Sequence, residues 1–290
     1  LIGFIEGNDP VLKDEYIVVG AHFDHLGLGG RRSGSLKPDT LIIHNGADDN
    51  ASGTAGILEL SHKLMSNRHL LKRSVLVVCF DAEEKGLLGS KYYVKNPVRN
   101  LSNSAMMVNM DMIGRLNDNP VILGGVGSSG NFVNIISDTR NSHTLEIETN
   151  MGGMDFGRSD HASFYRENIP VLFFFTGAHE DYHKPTDDWD KIDYKGEKKV
   201  LDFIYDLIIN VSQLEEKPAF TEIETNTGNN QNPVFKVTFG IIPAYGSQKV
   251  GLEIDGLSKK DGPAAKAGMK KGDVITAING KDVRNIYDYM

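Results

Sequence analysis

The chain has 290 residues, 40% hydrophobic and 24% charged, an ordinary globular composition with room for one sizeable core and a smaller second domain. Its formal charge of −8 argues against nucleic acid as a partner, since phosphate binding wants a basic face. No apolar run approaches the roughly 20 residues that span a bilayer. The single cysteine, Cys79, sits in a strand-like apolar run and reads as a small buried hydrophobe; one cysteine makes no intrachain disulfide and leaves the redox compartment open. Leu1 is neither an initiator Met nor part of a signal peptide, and Met290 closes a helix-like stretch, Arg284 to Met290, so both ends are expected to continue in a longer protein.

Tyr16 to Ala21 is short, β-branched and uncharged, and reads as a buried strand, with His22-Phe23-Asp24-His25 at its end. A Gly-, Ser- and Arg-rich loop from Gly27 to Pro38 follows. His44 to Gly53, with its Asp48-Asp49 pair among small residues, leads into a helix from about Asn50 to Met65. Ser74 to Phe80 is a second strand, with Asp81-Ala82-Glu83-Glu84 at its end, and Gly86 to Lys95 is a short helix. Ala105 to Met110 is a third strand, ending at Asp111, and Val121 to Leu123 a fourth. Helical spacing marks Ser129 to Thr139 and Ser159 to Glu167, the latter with Ser159 as its expected N-cap. Val171 to Phe175 is a fifth strand, and Lys195 to Leu214 a long amphipathic helix with Val200, Phe203, Ile204, Leu207, Ile208 and Val211 inward.

Apolar strands alternating with helices predict an α/β architecture: three layers, with a mostly parallel sheet covered by helices on both faces. Ligands of such sheets sit beyond the carboxyl ends of the strands. His22, Glu83, Glu84 and Asp111 each lie within four residues of such an end, so the fold brings them to one edge.

Carboxylates and imidazoles in that number suit a pair of divalent ions about 3.5–4 Å apart, which share a water and lower its pKa towards neutrality. In this reading Asp48 bridges the ions, His22 and Asp111 complete one, and Glu84 and His183 the other. Glu83, next to a ligand but pointing elsewhere, takes the water's proton and passes it to the leaving amine. Asp24 is placed to hold the second nitrogen of the His22 imidazole.

His22-x-Asp24, Gly46-Ala47-Asp48-Asp49-Asn50-Ala51-Ser52-Gly53, Glu83-Glu84, Asn109-Met110-Asp111, Ser159-Asp160-His161 and Tyr182-His183 stand in the order of the M28 family, and residues 1 to 213 resemble its di-zinc aminopeptidases. The resemblance implies the zinc exopeptidase fold, two zinc ions on the residues above, a cis peptide between Asp48 and Asp49, and a Tyr182 hydroxyl that stabilises the oxyanion. It implies that His161 lines the pocket without binding metal. His25 and His44 read as supporting neighbours, Arg31 and Arg32 as a solvated loop, and Asp155, Phe156 and Arg158 as residues that shape the substrate pocket; His143 and His179 have no evident partner.

Glu215 to Asn232 is polar and aperiodic and reads as a linker. Short strands expected at Val234 to Phe239, Val250 to Ile254 and Val274 to Ile278, with a short helix near Ala264 to Gly268, form a separate small domain. Residues 234 to 290 resemble a bacterial PDZ domain, with Phe239-Gly240-Ile241-Ile242 as its carboxylate-binding loop and Gly262 to Gly280 as its second matching segment. Complete PDZ domains bind peptide C-termini by adding a strand to a sheet edge. Here the groove helix begins only near Asn285 and the last strand is missing, so the domain is partial.

The expected organisation is a peptidase domain at 1–214, a linker at 215–232 and a partial PDZ domain at 233–290. The expected activity is zinc-dependent removal of an N-terminal residue from peptides, in the exported, periplasmic or extracellular setting that the resemblance implies, since bacterial members of the family are mostly exported. A carboxypeptidase or dipeptidase of the same fold, a zinc acyltransferase related to glutaminyl cyclases, a non-catalytic relative and a PDZ adaptor are the alternatives. No residue identifies itself as the contact for a substrate α-amine.

Overall fold

A computed structural model describes residues 1–31, 33–149, 159–223, 239–243, 249–257 and 262–283. The chain divides into two compact units, residues 1–83 with 87–224, and residues 84–86 with 225–290.

The first unit is built on strands β1 (Ile2–Ile5), β2 (Tyr16–His22), β3 (Ser74–Phe80), β4 (Ser104–Met110), β5 (Val121–Gly124), β6 (Ile147–Thr149) and β7 (Val171–Phe175), in the spatial order β1-β3-β2-β4-β7-β5-β6. The four central strands β3, β2, β4 and β7 run parallel, β1 and β5 pair antiparallel with their neighbours, and β6 runs parallel to β5. β2, β3 and β4 are buried along their whole length, which explains their unbroken apolar runs. The short edge strands β1 and β6 were not visible as strands in the sequence; β6 is Ile-Glu-Thr, too short and polar to show a pattern.

Side chains alternate between two cores. Ile17, Val19 and Ala21 of β2 face one, packed with α1 (Gly53–Ser66) and the long helix of residues 194–213; Tyr16 and Val18 face the other, with Tyr93 of α2 (Leu88–Lys95) and Phe164. α3 (Phe132–Arg140) covers the first face and α4 (His161–Tyr165) the second. α4 begins after Asp160, without a side-chain cap, because the Ser159 Oγ is taken by the Asn109 amide at 2.8 Å. α5 (Tyr194–Gln213) is capped by the Asp193 carboxylate, which accepts the Gly196 N–H at 3.0 Å. At its far end the fully buried Arg73 donates to the carbonyls of Val211, Leu214 and Glu215 and pairs with Glu15 at 2.7 Å, satisfying acceptors that a helix end leaves open. α5 contributes Phe203, fully buried, whose truncation to Ala costs about 3–5 kcal/mol.

In the second unit β9 (Leu252–Leu257) pairs antiparallel with β8 (Ile241–Pro243) on one side and β10 (Val274–Ile275) on the other. α6 (Pro263–Lys266) opens with proline at its first turn, where the missing N–H has no partner to lose. β11 (Ala277–Ile278) and β12 (Lys281–Asp282) form a hairpin whose two turn residues, Asn279 and Gly280, have φ of 49° and 75°. Asn-Gly is the pair that tolerates the two left-handed residues a tight hairpin turn needs. The strand expected at 234–238 and the helix expected from residue 285 lie outside the described residues.

Candidate metal centre

The strand ends deliver the first donors. His22 closes β2, and Asp111 follows β4, its N–H held by the Phe174 carbonyl of β7 at 3.2 Å. The third donor comes from the turn that enters α1. There Gly46 has φ of 60°, and a Cβ on it would meet the Asp49 carbonyl and the His25 ring at 2.5 and 2.6 Å, so the sharp turn requires glycine.

Two groups of donor atoms result, each within 4.8 Å of one another: His22, Asp49 and Asp111; and His25, Asp49 and Glu84. Asp49 belongs to both. Its Oδ1 lies 3.4 Å from the His22 Nε2, which is also 3.4 Å from Asp111, and its Oδ2 lies 3.3 Å from the His183 Nε2 and 3.8 Å from the His25 Nδ1.

The shared carboxylate is therefore Asp49 and not its neighbour Asp48, which the sequence reading had placed there. Asp48 is turned away: its Oδ1 accepts the Gly114 N–H at 2.6 Å and its Oδ2 faces the His179 Nε2 at 3.1 Å. The cis peptide likewise lies one residue further on, at Asp49-Asn50 rather than Asp48-Asp49. Asn50 fixes the turn, its Oδ1 accepting from Gly53 at the start of α1 and from Met112 after β4.

Asp24 holds His22 differently from expectation. The His22 Nδ1 is 3.0 Å from the main-chain carbonyl of Asp24 and 3.7 Å from its carboxylate, which accepts the Glu83 N–H at 2.9 Å. Tyr182 stacks on His183 with ring centroids 3.9 Å apart. His161 is fully buried, stacked on Phe173 at 4.5 Å, and belongs to neither donor group. His44 supports the loop, bonded to the Ile42 carbonyl and to Ser35, and His143 pairs with Asp206 at 2.8 Å. Arg31 lies exposed near Asp39; Arg32, Asp155, Phe156 and Arg158 lie outside the described residues.

A carbonyl can only accept, so the Nδ1 of His22 donates to Asp24, and that of His183 donates to Gly34 at 2.9 Å. In the neutral imidazole each Nε2 then carries a bare lone pair, and both lone pairs face Asp49 oxygens. Lone pair against carboxylate requires a cation between them, either a proton on the imidazole or a metal ion. At His22 a proton can supply that charge. Burial pushes the His22 imidazolium down, but the Asp111 charge and bonds to Asp111 and Asp49 more than offset it, and its pKa stands well above the ordinary range. Burial pushes Asp49 up, yet bonds from His183 and His22 hold it below the usual carboxylate range. The donor set of imidazole nitrogens and carboxylate oxygens, with each imidazole oriented by a carbonyl, fits divalent zinc. Sequence reasoning missed Asp49 and the place of His25 in this cluster.

Residues 1–208 match Peptidase family M28, and residues 257–289 match the PDZ domain. The chain belongs to peptidase family M28. It is 25% identical to the uncharacterized protein YfbL of Escherichia coli strain K12 over 228 residues, 67% of this chain and 66% of that protein. It is 31% identical to leucine aminopeptidase 2 of Trichophyton rubrum over 169 residues, 56% of this chain and 31% of that enzyme, so it spans about a third of the length of that relative. The structure of BSAP, a zinc aminopeptidase from Bacillus subtilis, superposes with a TM-score of 0.58 at 23% identity, covering 77% of this chain and 53% of that one. A glutaminyl cyclase from Bacteroides thetaiotaomicron superposes with a TM-score of 0.57 at 20% identity, covering 72% and 76%. These two likenesses are of fold.

Proposed function

We propose that this chain is a zinc-dependent exopeptidase that cleaves the N-terminal peptide bond of peptides. The observation that carries the reading is the single buried carboxylate, Asp49, common to two groups of nitrogen and oxygen donors. One zinc would be held by His22, Asp49 and Asp111. The other would be held by Asp49, Glu84 and His183, whose Nε2 the Gly34 carbonyl leaves bare, with His25 beside it.

Zinc held there would supply a water acidic enough to act as nucleophile near neutral pH. Glu83, its main chain pinned by Asp24, serves as general base and then protonates the departing amine. The Tyr182 hydroxyl, on a ring stacked against His183, would donate to the oxyanion that develops on the scissile carbonyl. The 1–214, 215–232 and 233–290 division is part of the same reading, and so is binding of peptide C-termini by a completed PDZ domain. No helix among the described residues is long and apolar enough to cross a membrane. We place the protein outside the cytosol, which fractionation of the source cells checks.

A cyclase-like acyl transfer is supported by fold likeness alone, and the paired donor groups favour the two-ion hydrolase. Metal content by mass spectrometry, with a panel of aminoacyl chromogenic amides assayed before and after chelation, tests the proposal. About two zinc per chain, with hydrolysis that chelator abolishes and zinc restores, is the expected result. Two zinc without aminoacyl hydrolysis would move the assignment to carboxypeptidase or dipeptidase; one zinc or none, without hydrolysis, would overturn it.

A further inference from the structure

Asp187 lies far from any strand end, fully buried, four positions after His183. It collects three consecutive backbone N–H groups from the turn that carries the shared carboxylate. Ala47 donates to its carbonyl at 3.1 Å, and Asp48 and Asp49 donate to its Oδ2 at 2.9 and 3.1 Å. Two successive N–H groups converging on one carboxylate oxygen, with a third held by the same residue's main-chain carbonyl, fix the path of a turn more tightly than any single bond. The other carboxylate oxygen, Oδ1, accepts the Arg115 guanidinium at 2.9 Å. The Arg115 main-chain N–H is itself held by Thr176 at 3.2 Å, just beyond β7, and its guanidinium also approaches Asp181 at 3.4 Å.

The segment around 183 is thus tied to the segment around 49 by a carboxylate that ligates nothing. Asp187 sets where the Asp49 backbone sits, and its own chain position sets where His183 sits. We propose that Asp187, oriented by Arg115, is a positioning residue that fixes the spacing between Asp49 and His183 and so governs affinity for the ion on the His183 side. This rests on the two-ion reading above. An Asp187→Asn substitution keeps size and one acceptor but places an amide NH2 against either the turn or Arg115, so the clamp loosens without leaving a cavity.

The test is zinc affinity of the whole chain, measured by competition with a chromogenic chelator, beside circular dichroism and thermal melting. D187N should retain the wild-type spectrum and weaken one of two zinc sites by about 10–100-fold, the range for outer partners of metal ligands, with the other site changed far less. R115Q should act on the same site, and the double variant should be no weaker than the worse single one, because the two residues act as one unit. R115K, which restores a cation, should recover part of the affinity. Unaltered zinc affinities in D187N, with or without a lower melting temperature, would show a merely structural role and overturn the inference alone. A wild-type chain that binds no zinc would overturn the functional proposal, and this inference with it.

Discussion

His22 and Asp111 approach Asp49 from the ends of neighbouring parallel strands, whereas Glu84, His25 and His183 approach it from loops. The first pair is placed by the sheet. β2 and β4 are in register through Gly20 and Asn109, and β7 holds the Asp111 N–H, so the ligands move only if the sheet does. The second set is placed by local bonds: His183 to the Gly34 carbonyl, and Leu36 back to the His183 carbonyl. Rigid secondary structure opens at a free-energy cost near that of global unfolding, while loops open locally at less. The strand side should therefore hold its ion more firmly than the loop side, with Asp49 belonging to both.

Asp49→Ala is the sharpest way to break this picture. Both ions should be lost and hydrolysis should fall to background; a variant that still carries two zinc by mass spectrometry would move the shared ligand elsewhere. Glu83→Gln should separate chemistry from binding, keeping the zinc while kcat falls by about 10²–10⁴-fold. His183→Ala and His22→Ala compare the two sides directly. The first should leave one zinc, still held by the strand ends, and the second should loosen that strand-side ion; a His183→Ala chain with two tight ions would promote His25 to ligand. Asp48→Asn should be mild. It keeps an acceptor for Gly114, so zinc content should be unchanged and stability should fall by about 1 kcal/mol through the weakened His179 contact.

An effect on stability alone lies at Glu197, in the first turn of α5. Burial, then the charges of Asp48 and Asp193, push its pKa up to about 7. A carboxyl raised above its unfolded value favours folding in its protonated form. Its contribution is full below about pH 4 and is lost as pH rises through about 7, amounting to at most about 3 kcal/mol. Glu197→Gln should thus raise the melting temperature at pH 8 and leave it nearly unaltered at pH 4. Equal shifts at both pH values would sink this account.

The central strands were legible because each is buried on both faces and is therefore dominated by apolar side chains. His22, Glu83, Glu84 and Asp111 stood out because each lies at, or within four residues of, the end of an apolar run. The shared carboxylate did not stand out. Asp48 and Asp49 are identical neighbours, and what holds Asp48 away from the donor groups is Gly114, His179 and Asp187, 66, 131 and 139 positions further along the chain. Local spacing holds no record of such partners. Asp24 differs only in the atom: its main-chain carbonyl lies 3.0 Å from the His22 Nδ1 and its carboxylate 3.7 Å away.

The spatial order of the sheet also dictates a schedule. β7, from residues 171–175, lies between β4 and β5, although β5 and β6 are made before it. During synthesis the β5–β6 pair therefore has no seat in the sheet until β7 emerges, and His183 follows eight residues later still. Pairings between such distant stretches form late and slowly. A nascent chain of this design cannot bring His183 to Asp49 until most of its first unit has left the ribosome.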